Sequence, residues 1–480
     1  MILAKYEPQD VLKHFEAISQ IPRGSGNEKA VSDYIAKFAT GLGYKTVQDK
    51  LHNLIIFKPA TKGYENSSPV ILQAHLDMVC EKNIDTEHDF FKDPIKLYVD
   101  GDFISAQGTT LGADNGLAVA MCMALLEAQN VQHPPLEIVL TVEEETGMAG
   151  AKNLDFTLLK GKRMVNLDNS NDTAFVMGCA AGTTVEYSLP ADWIAVPPDN
   201  AILAITVGGL TGGHSGGDIT KERGNALRII GHILAALNGM ADIRIANVSG
   251  GMKVNAIPRE AVATVTFPKS EADKVTSILE KCRNNFATQY RTSDSGIEIL
   301  WKADSASMVL SAEVGRDLIA LLTLMPNGLQ HKSTEVENLV NASCNVGVVE
   351  TFHKCIKISA MPRGAARFYN EQMEMQMSCL ARLTGASVEF MQRSPAWPYN
   401  PNSELLKIAE KCYVPVFGRE AKVTASHGGL ECGIFAEQIT GLDIISFGPT
   451  NYDLHTPDER LSISSTEKCW VFVKSLLEVL

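Results

Sequence analysis

Five short segments rich in metal-binding side chains run from residue 73 to residue 457, and they restrict the possible folds more than any other feature. They are Gln73-Ala74-His75-Leu76-Asp77, Leu111-Gly112-Ala113-Asp114-Asn115, Glu143-Glu144-Glu145-Thr146-Gly147, Asn166-Leu167-Asp168-Asn169 and Leu454-His455-Thr456-Pro457. Most follow an apolar run that reads as a strand. Two imidazoles and several carboxylates form a ligand set that Zn²⁺, Mn²⁺ or Co²⁺ accepts. One carboxylate beyond the ligands would serve as a general base. For His455 to meet the earlier ligands, the tail must fold back onto the first part of the chain. The middle is then an insertion, not a C-terminal domain.

Periodicity supports this division. Pro8 to Gln20 carries Val11, Leu12, Phe15 and Ile18 on one helical face, and Asn27 can cap a helix running to about Thr40. Strands are expected at Leu54-Phe57, Val70-Gln73, Leu136-Thr141 and Met164-Leu167, with a helix from Asp114 to Gln129. Helices between apolar strands predict an α/β fold of three layers with a mostly parallel sheet. After Gly182 the pattern changes and a strand-helix order repeats loosely, which predicts an inserted α/β domain of two related units. The expected domains are 1–188 with 395–480, and 189–394, with crossings at proline-rich stretches.

Each motif has an ordinary reading. His75-x-Asp77 is by itself a weak signal; alternation puts both side chains on one side of a strand end, where Asp77 could orient the imidazole. Asp114 could be a helix N-cap or a carboxylate bridging two cations. Acidic triplets are usually solvated charge runs. Glu143 to Glu145 instead end a strand at the sheet edge where open α/β folds place ligands. There one glutamate can bind metal while its neighbour takes a proton. Asp168 could be a turn residue and His455 a loop histidine. Chance does not account for all five at strand ends of one sheet. The glycine-rich run Gly208 to Gly217 suggests a phosphate loop, but it lacks both the G-x-x-x-x-G-K-[ST] lysine and the G-x-G-x-x-G spacing.

At 480 residues the chain is too long for one core. Its net charge of −13 argues against nucleic-acid or anionic-membrane partners. No apolar run reaches the length of about 18 residues expected of a membrane span. The start has no signal-peptide pattern, and the ten cysteines are scattered without a Cys-x-x-Cys pair. A cytoplasmic protein with free thiols is expected.

In order and over the whole length, the motifs resemble the M20 metallopeptidases, a two-metal peptidase family. The resemblance rests on His75-Leu76-Asp77, Gly112-Ala113-Asp114-Asn115-Gly116, Glu144-Glu145-Thr146-Gly147, Asp168, Gly213-His214-Ser215-Gly216 and His455-Thr456-Pro457. Within the family, the large insertion and the runs Leu111 to Gly116 and Gly213 to Ile219 look like the dipeptidases acting on Xaa-His (carnosine-like) substrates. The resemblance implies that His75 and Asp168 hold one ion, Glu145 and His455 the other, and Asp114 bridges. Glu144 would be the general base for a water at the two metals, most consistent with zinc, and Asp77 would tune His75. It further implies that His214 stabilises the tetrahedral intermediate and that Asn255 and Arg363 hold the substrate's polar and carboxylate ends. Gly428 and Gly429 would belong to a substrate loop. The expected partner is a short peptide, with a homodimer formed through the inserted lid domain. A tripeptidase, an N-acyl-amino-acid deacylase and a non-catalytic binding protein of the same fold are the competing readings.

Overall fold

The computed structural model describes residues 2–334 and 339–480. They divide into two compact units, one of 1–178, 397–425 and 430–480, the other of 179–396 with 426–429.

The first unit is built on an eight-stranded sheet in the order Lys45–Gln48, Leu54–Lys58, Leu136–Thr141, Val70–His75, Arg163–Asn166, Asp443–Ser446, Ala174–Cys179, Lys422–Ser426. The four strands from Leu136–Thr141 to Asp443–Ser446 run parallel. Leu54–Lys58 and Ala174–Cys179 join them antiparallel, so the sheet is mixed at its flanks. A short hairpin between Gln48 and Leu54 makes Lys45–Gln48 antiparallel to Leu54–Lys58 in turn, since parallel neighbours need a long crossover. The central strands are buried along their whole length, which explains their unbroken apolar runs.

The tail docks through an aromatic cluster. Phe175, Tyr413, Phe447 and Phe472 are fully buried, with ring centroids 4.6 to 6.3 Å apart. Burial of this size dominates local packing energy. It places Asp443–Ser446 beside Arg163–Asn166. A second sheet of four short strands ties Asn451–Tyr452 and Arg460–Ser462, which bracket His455, to Phe103–Ala106 and Leu97–Asp100. The helix expected from Asn27 begins at Lys29 without a side-chain cap. Glu28 instead accepts the backbone N–H groups of Gly26 and Glu143.

The second unit has one large antiparallel sheet with two halves of matching order. Glu298–Ala303, Asn200–Gly208, Ala261–Pro268 and Arg244–Gly250 form one; Val340–Thr351, Cys355–Gly364, Ala181–Pro190 and Ser387–Ser394 form the other. Each half follows a β-α-β-β-α-β path, with helices Ala226–Asn238 and Ala272–Gln289 in one and Ala312–Leu324 and Arg367–Leu383 in the other. Gly250 opposite Val349 joins them. Ala181–Pro190 is the first strand of the second half, although it precedes the first half in the chain. It pairs with Cys355–Gly364 and Ser387–Ser394, which puts this unit's start ahead of the expected Leu189. Among the described residues no helix is long and apolar enough to cross a membrane.

Candidate metal centre and substrate-binding residues

Strand ends bring the first unit's ligand candidates together. His75 closes Val70–His75, Glu143 to Glu145 follow Leu136–Thr141, and Asp168 follows Arg163–Asn166. Asp114 stands at the start of helix Ala113–Glu127, which is buried on nearly every face. The Asp114–Asn115 peptide is cis.

His75 Nε2 lies 3.2 Å from Asp114 Oδ1 and 3.5 Å from Asp168 Oδ1. His455 Nε2 lies 3.1 Å from Glu145 Oε1 and 3.4 Å from Asp114 Oδ2. The two oxygens of Asp114 therefore face different imidazoles. Donor atoms of His75, Asp114 and Asp168 lie within 4.8 Å of one another, as do those of Asp114, Glu145 and His455, and those of His75, Glu144 and Glu145. His455 and Glu143 hold left-handed backbone conformations, φ +63° and +54°. Such strain concentrates at functional sites.

Asp77 does more than face one imidazole. Its Oδ1 lies 3.2 Å from His75 Nδ1 and accepts the Glu144 N–H, while Oδ2 accepts the Glu145 N–H and the Ser25 hydroxyl. One fully buried carboxylate thus fixes the His75 ring and the glutamate pair together. Burial alone would raise its pKa, but His75, Ser25 and the backbone N–H hold it at about 2.

The electrostatics favour added cations. Burial, with further repulsion from Asp168, Glu431 and Glu145, lifts Glu144 well above the usual carboxylate range. Burial and repulsion from Asp114 and Glu145 raise Asp168 to about 6 against the pull of His75. Burial opposes the imidazolium of His75, yet Asp168, Asp114 and Asp77 carry it well above its ordinary value. Glu145 Oε1 bears on occupancy most directly. It is buried and 3.1 Å from His455 Nε2, yet among the described residues it has no partner in hydrogen-bonding geometry. Two ligands of one cation approach in this way. The donor set of imidazoles and carboxylates suits borderline divalent ions.

The second unit carries the other candidates. His214 lies on a two-stranded ribbon with Ala256–Ile257, next to Asn255, whose carbonyl accepts the Ser215 N–H. Gly216 N–H and Gly217 N–H both donate to His214 Nδ1, which assigns the proton to Nε2. Burial, then Arg363, lowers the His214 pKa, so the ring is neutral with an Nε2–H donor free. The Arg363 guanidinium is buried, and among the described residues its hydrogen bonds go to the His427 carbonyl and Met361 sulfur, with Nε unpartnered there. Desolvation lowers it to about 10. A buried cation with no carboxylate among its described partners is a ready anion site. Gly428 N–H bonds to Ser426 Oγ in the loop that presents that carbonyl. Gly429 lies in the same loop.

Three buried polar residues escaped sequence reasoning. Glu431 Oε2 accepts Gln73 Nε2 and Thr141 Oγ1, each at 2.6 Å, and Asn166 Nδ2 donates to Gln73 Oε1. These partners lie two residues before His75, Glu143 and Asp168, forming a polar layer beneath the ligands. Asn115 accepts the His75 N–H and donates to the Leu167 carbonyl. Glu459 binds the loop of Asp114. Glu431 lies two residues after Gly429 and Glu459 four after His455, and that proximity was the available signal.

Comparison with known proteins agrees with this geometry. The chain is 36% identical over 480 residues, 99% of its length and 98% of the relative's, to the "Cytosol non-specific dipeptidase" of Escherichia coli (strain K12). It superposes on the crystal structure of aminoacylhistidine dipeptidase from Vibrio alginolyticus with a TM-score of 0.93 and 36% identity, covering 100% of this chain and 98% of that one. A tripeptidase from Staphylococcus aureus shares the fold at 17% identity and a TM-score of 0.57, covering 99% and 98%. Residues 71–479 match the family described as Peptidase family M20/M25/M40, and the chain belongs to that family of peptide-bond hydrolases.

Proposed function

We propose that the chain is a two-metal dipeptidase acting on short peptides, Xaa-His dipeptides among them. The observation that carries this reading is Asp114, whose two oxygens face two separate imidazole-carboxylate sets while Glu144 remains beside them. His75 and Asp168 would hold one ion, Glu145 and His455 the other, with zinc the best match and manganese or cobalt next. Bound there, the ions would polarise the scissile carbonyl and acidify water. Glu144 takes the water's proton and returns it to the leaving amine. Asp77 keeps His75 and Glu144 in register. His214 donates its Nε2–H to the developing oxyanion, and Arg363 pairs with the terminal carboxylate, helped by Asn255 and the Gly428-Gly429 loop. The inserted unit, about 189–394 with the strand before it, would act as a lid and as the surface of a homodimer.

The two similar dipeptidases differ in the breadth their names state, one non-specific and the other for aminoacylhistidine. Broad dipeptide activity that includes Xaa-His fits both, and a cytoplasmic enzyme fits the first. A panel of dipeptides, tripeptides, N-acyl amino acids and dipeptide amides, assayed with Zn²⁺, Mn²⁺ or Co²⁺, tests this. Free dipeptides should be cleaved fastest, and chelation should abolish turnover. Faster cleavage of tripeptides or N-acyl amino acids would overturn the dipeptidase reading.

A further inference from the structure

Two buried charges beside the metal loops, Arg23 and Glu459, have no part in the chemistry above. Each is about 2% exposed. Arg23 Nη1 donates to the carbonyls of Leu76 (3.0 Å) and Asp77 (3.1 Å), and Nη2 donates to the carbonyl of Gly112. Its partners are carbonyl oxygens, not carboxylates. Glu459 Oε2 accepts the N–H groups of Leu111 and Gly112, both at 2.8 Å. Its Oε1 accepts Asn451 Nδ2 at 2.9 Å and the Asp114 N–H at 3.3 Å.

Gly112 is thus held at both ends, its N–H by the anion and its carbonyl by the cation. Arg23 extends the grip to the segment just after His75. Glu459 extends it to the loop of His455, four residues earlier in the chain. One pair of charges therefore joins three separate ligand-bearing segments. The glycines of this motif make room for it. Gly112 has φ +69°, and a Cβ there would lie 2.6 Å from Met78 Sδ and 2.7 Å from Arg23 Nη2. A Cβ at Gly116 would collide with the same guanidinium. Hydrogen bonds from or to an ionised group are roughly twice as strong as neutral ones, and here several converge on one turn.

We propose that Arg23 and Glu459 are positioning residues that set where Asp114 stands relative to His75 and His455, and so set the affinity of the metal pair. This rests on the two-metal reading. The test is calorimetric titration of metal-free full-length protein with Zn²⁺, alongside thermal melting of each metal-free variant. Glu459→Gln keeps the shape but turns an amide donor toward donors. It should weaken at least one binding event roughly ten- to a hundredfold, the usual effect of losing a group that supports a ligand. Arg23→Met should do the same. Arg23→Lys, which keeps the charge but lacks the planar fork, should weaken binding too and serves if Arg23→Met does not fold. The combined Arg23→Met and Glu459→Gln variant should lose less than the product of the single losses, because both residues hold the same peptide. Variants that melt lower yet bind Zn²⁺ as the wild type does would reduce the pair to packing and overturn the proposal, as would fully multiplicative losses. Wild-type protein that binds no pair of ions would overturn the two-metal reading beneath it.

Discussion

The two units solve opposite electrostatic problems. In the first, Asp77, Asp114, Glu144, Glu145, Asp168 and Glu431 crowd around two imidazoles, and burial raises three of these carboxyls. In the second, Arg363 is buried beside two neutral histidines, His214 and His427, with no carboxylate among its described partners. The first cluster lacks positive charge, and the Arg363 guanidinium has no negative partner among the described residues. Buried charges without partners are costly enough that each deficit specifies a class of ligand: cations for one unit, an anionic group for the other. Under the proposed function, metal ions would meet the first need and a substrate carboxylate the second.

The largest effect tests the acidic side. Glu144→Gln should keep the metals and lose about 10²–10⁴-fold in kcat, whereas Glu145→Gln should lose metal as well. Metal content measured beside kcat separates them, and an active Glu144→Gln variant would reverse their roles. His214→Ala should lower kcat by roughly 10²–10³ with a smaller change in KM, since an oxyanion contact forms mainly in the transition state. An unchanged kcat would leave His214 a loop residue. Arg363→Ala should cost about ten- to a hundredfold in kcat/KM on free dipeptides and little on their amides. Equal losses on both substrates would remove the anion from the comparison.

The smallest effect is absent at neutral pH. Burial, with Arg363 next in weight, holds His427 at about 3, well below its ordinary 6.5. Between those values the unfolded chain binds a proton that the folded one refuses, so stability falls as pH drops through that window. Chemical denaturation from pH 7 to pH 4 should show that fall, and His427→Gln should flatten it. An unaltered slope would place the acid sensitivity elsewhere.

The metal ligands were legible because each sits within a few residues of a strand end, inside a short run that survives as a pattern. Arg23 was not. Its partners are backbone carbonyls 53 to 89 positions away, and a carbonyl carries no mark in a sequence. Glu431 stands two residues after Gly429, but its bond to Gln73 spans 358 positions, so its purpose was hidden. The parallel centre of the first sheet followed from apolar runs. The outermost strands did not, because Lys45–Gln48 and Lys422–Ser426 are short and at most partly buried. Ala181–Pro190 went unrecognised as the head of a half-sheet because its partners lie so far along the chain.

That strand has a consequence for how the molecule is made. Leu189 must find Ile356, and Tyr187 must find Val388, only after all the residues between them have been synthesised. The half-sheet in between, from Asn200 to Ala303, has its own strands and helices to assemble as it emerges from the ribosome. Ala181–Pro190 meanwhile waits with alternating apolar side chains and an unpaired edge, the kind of surface that invites chaperones or misassociation. Slow translation or a missing chaperone should therefore expose this strand to misassociation.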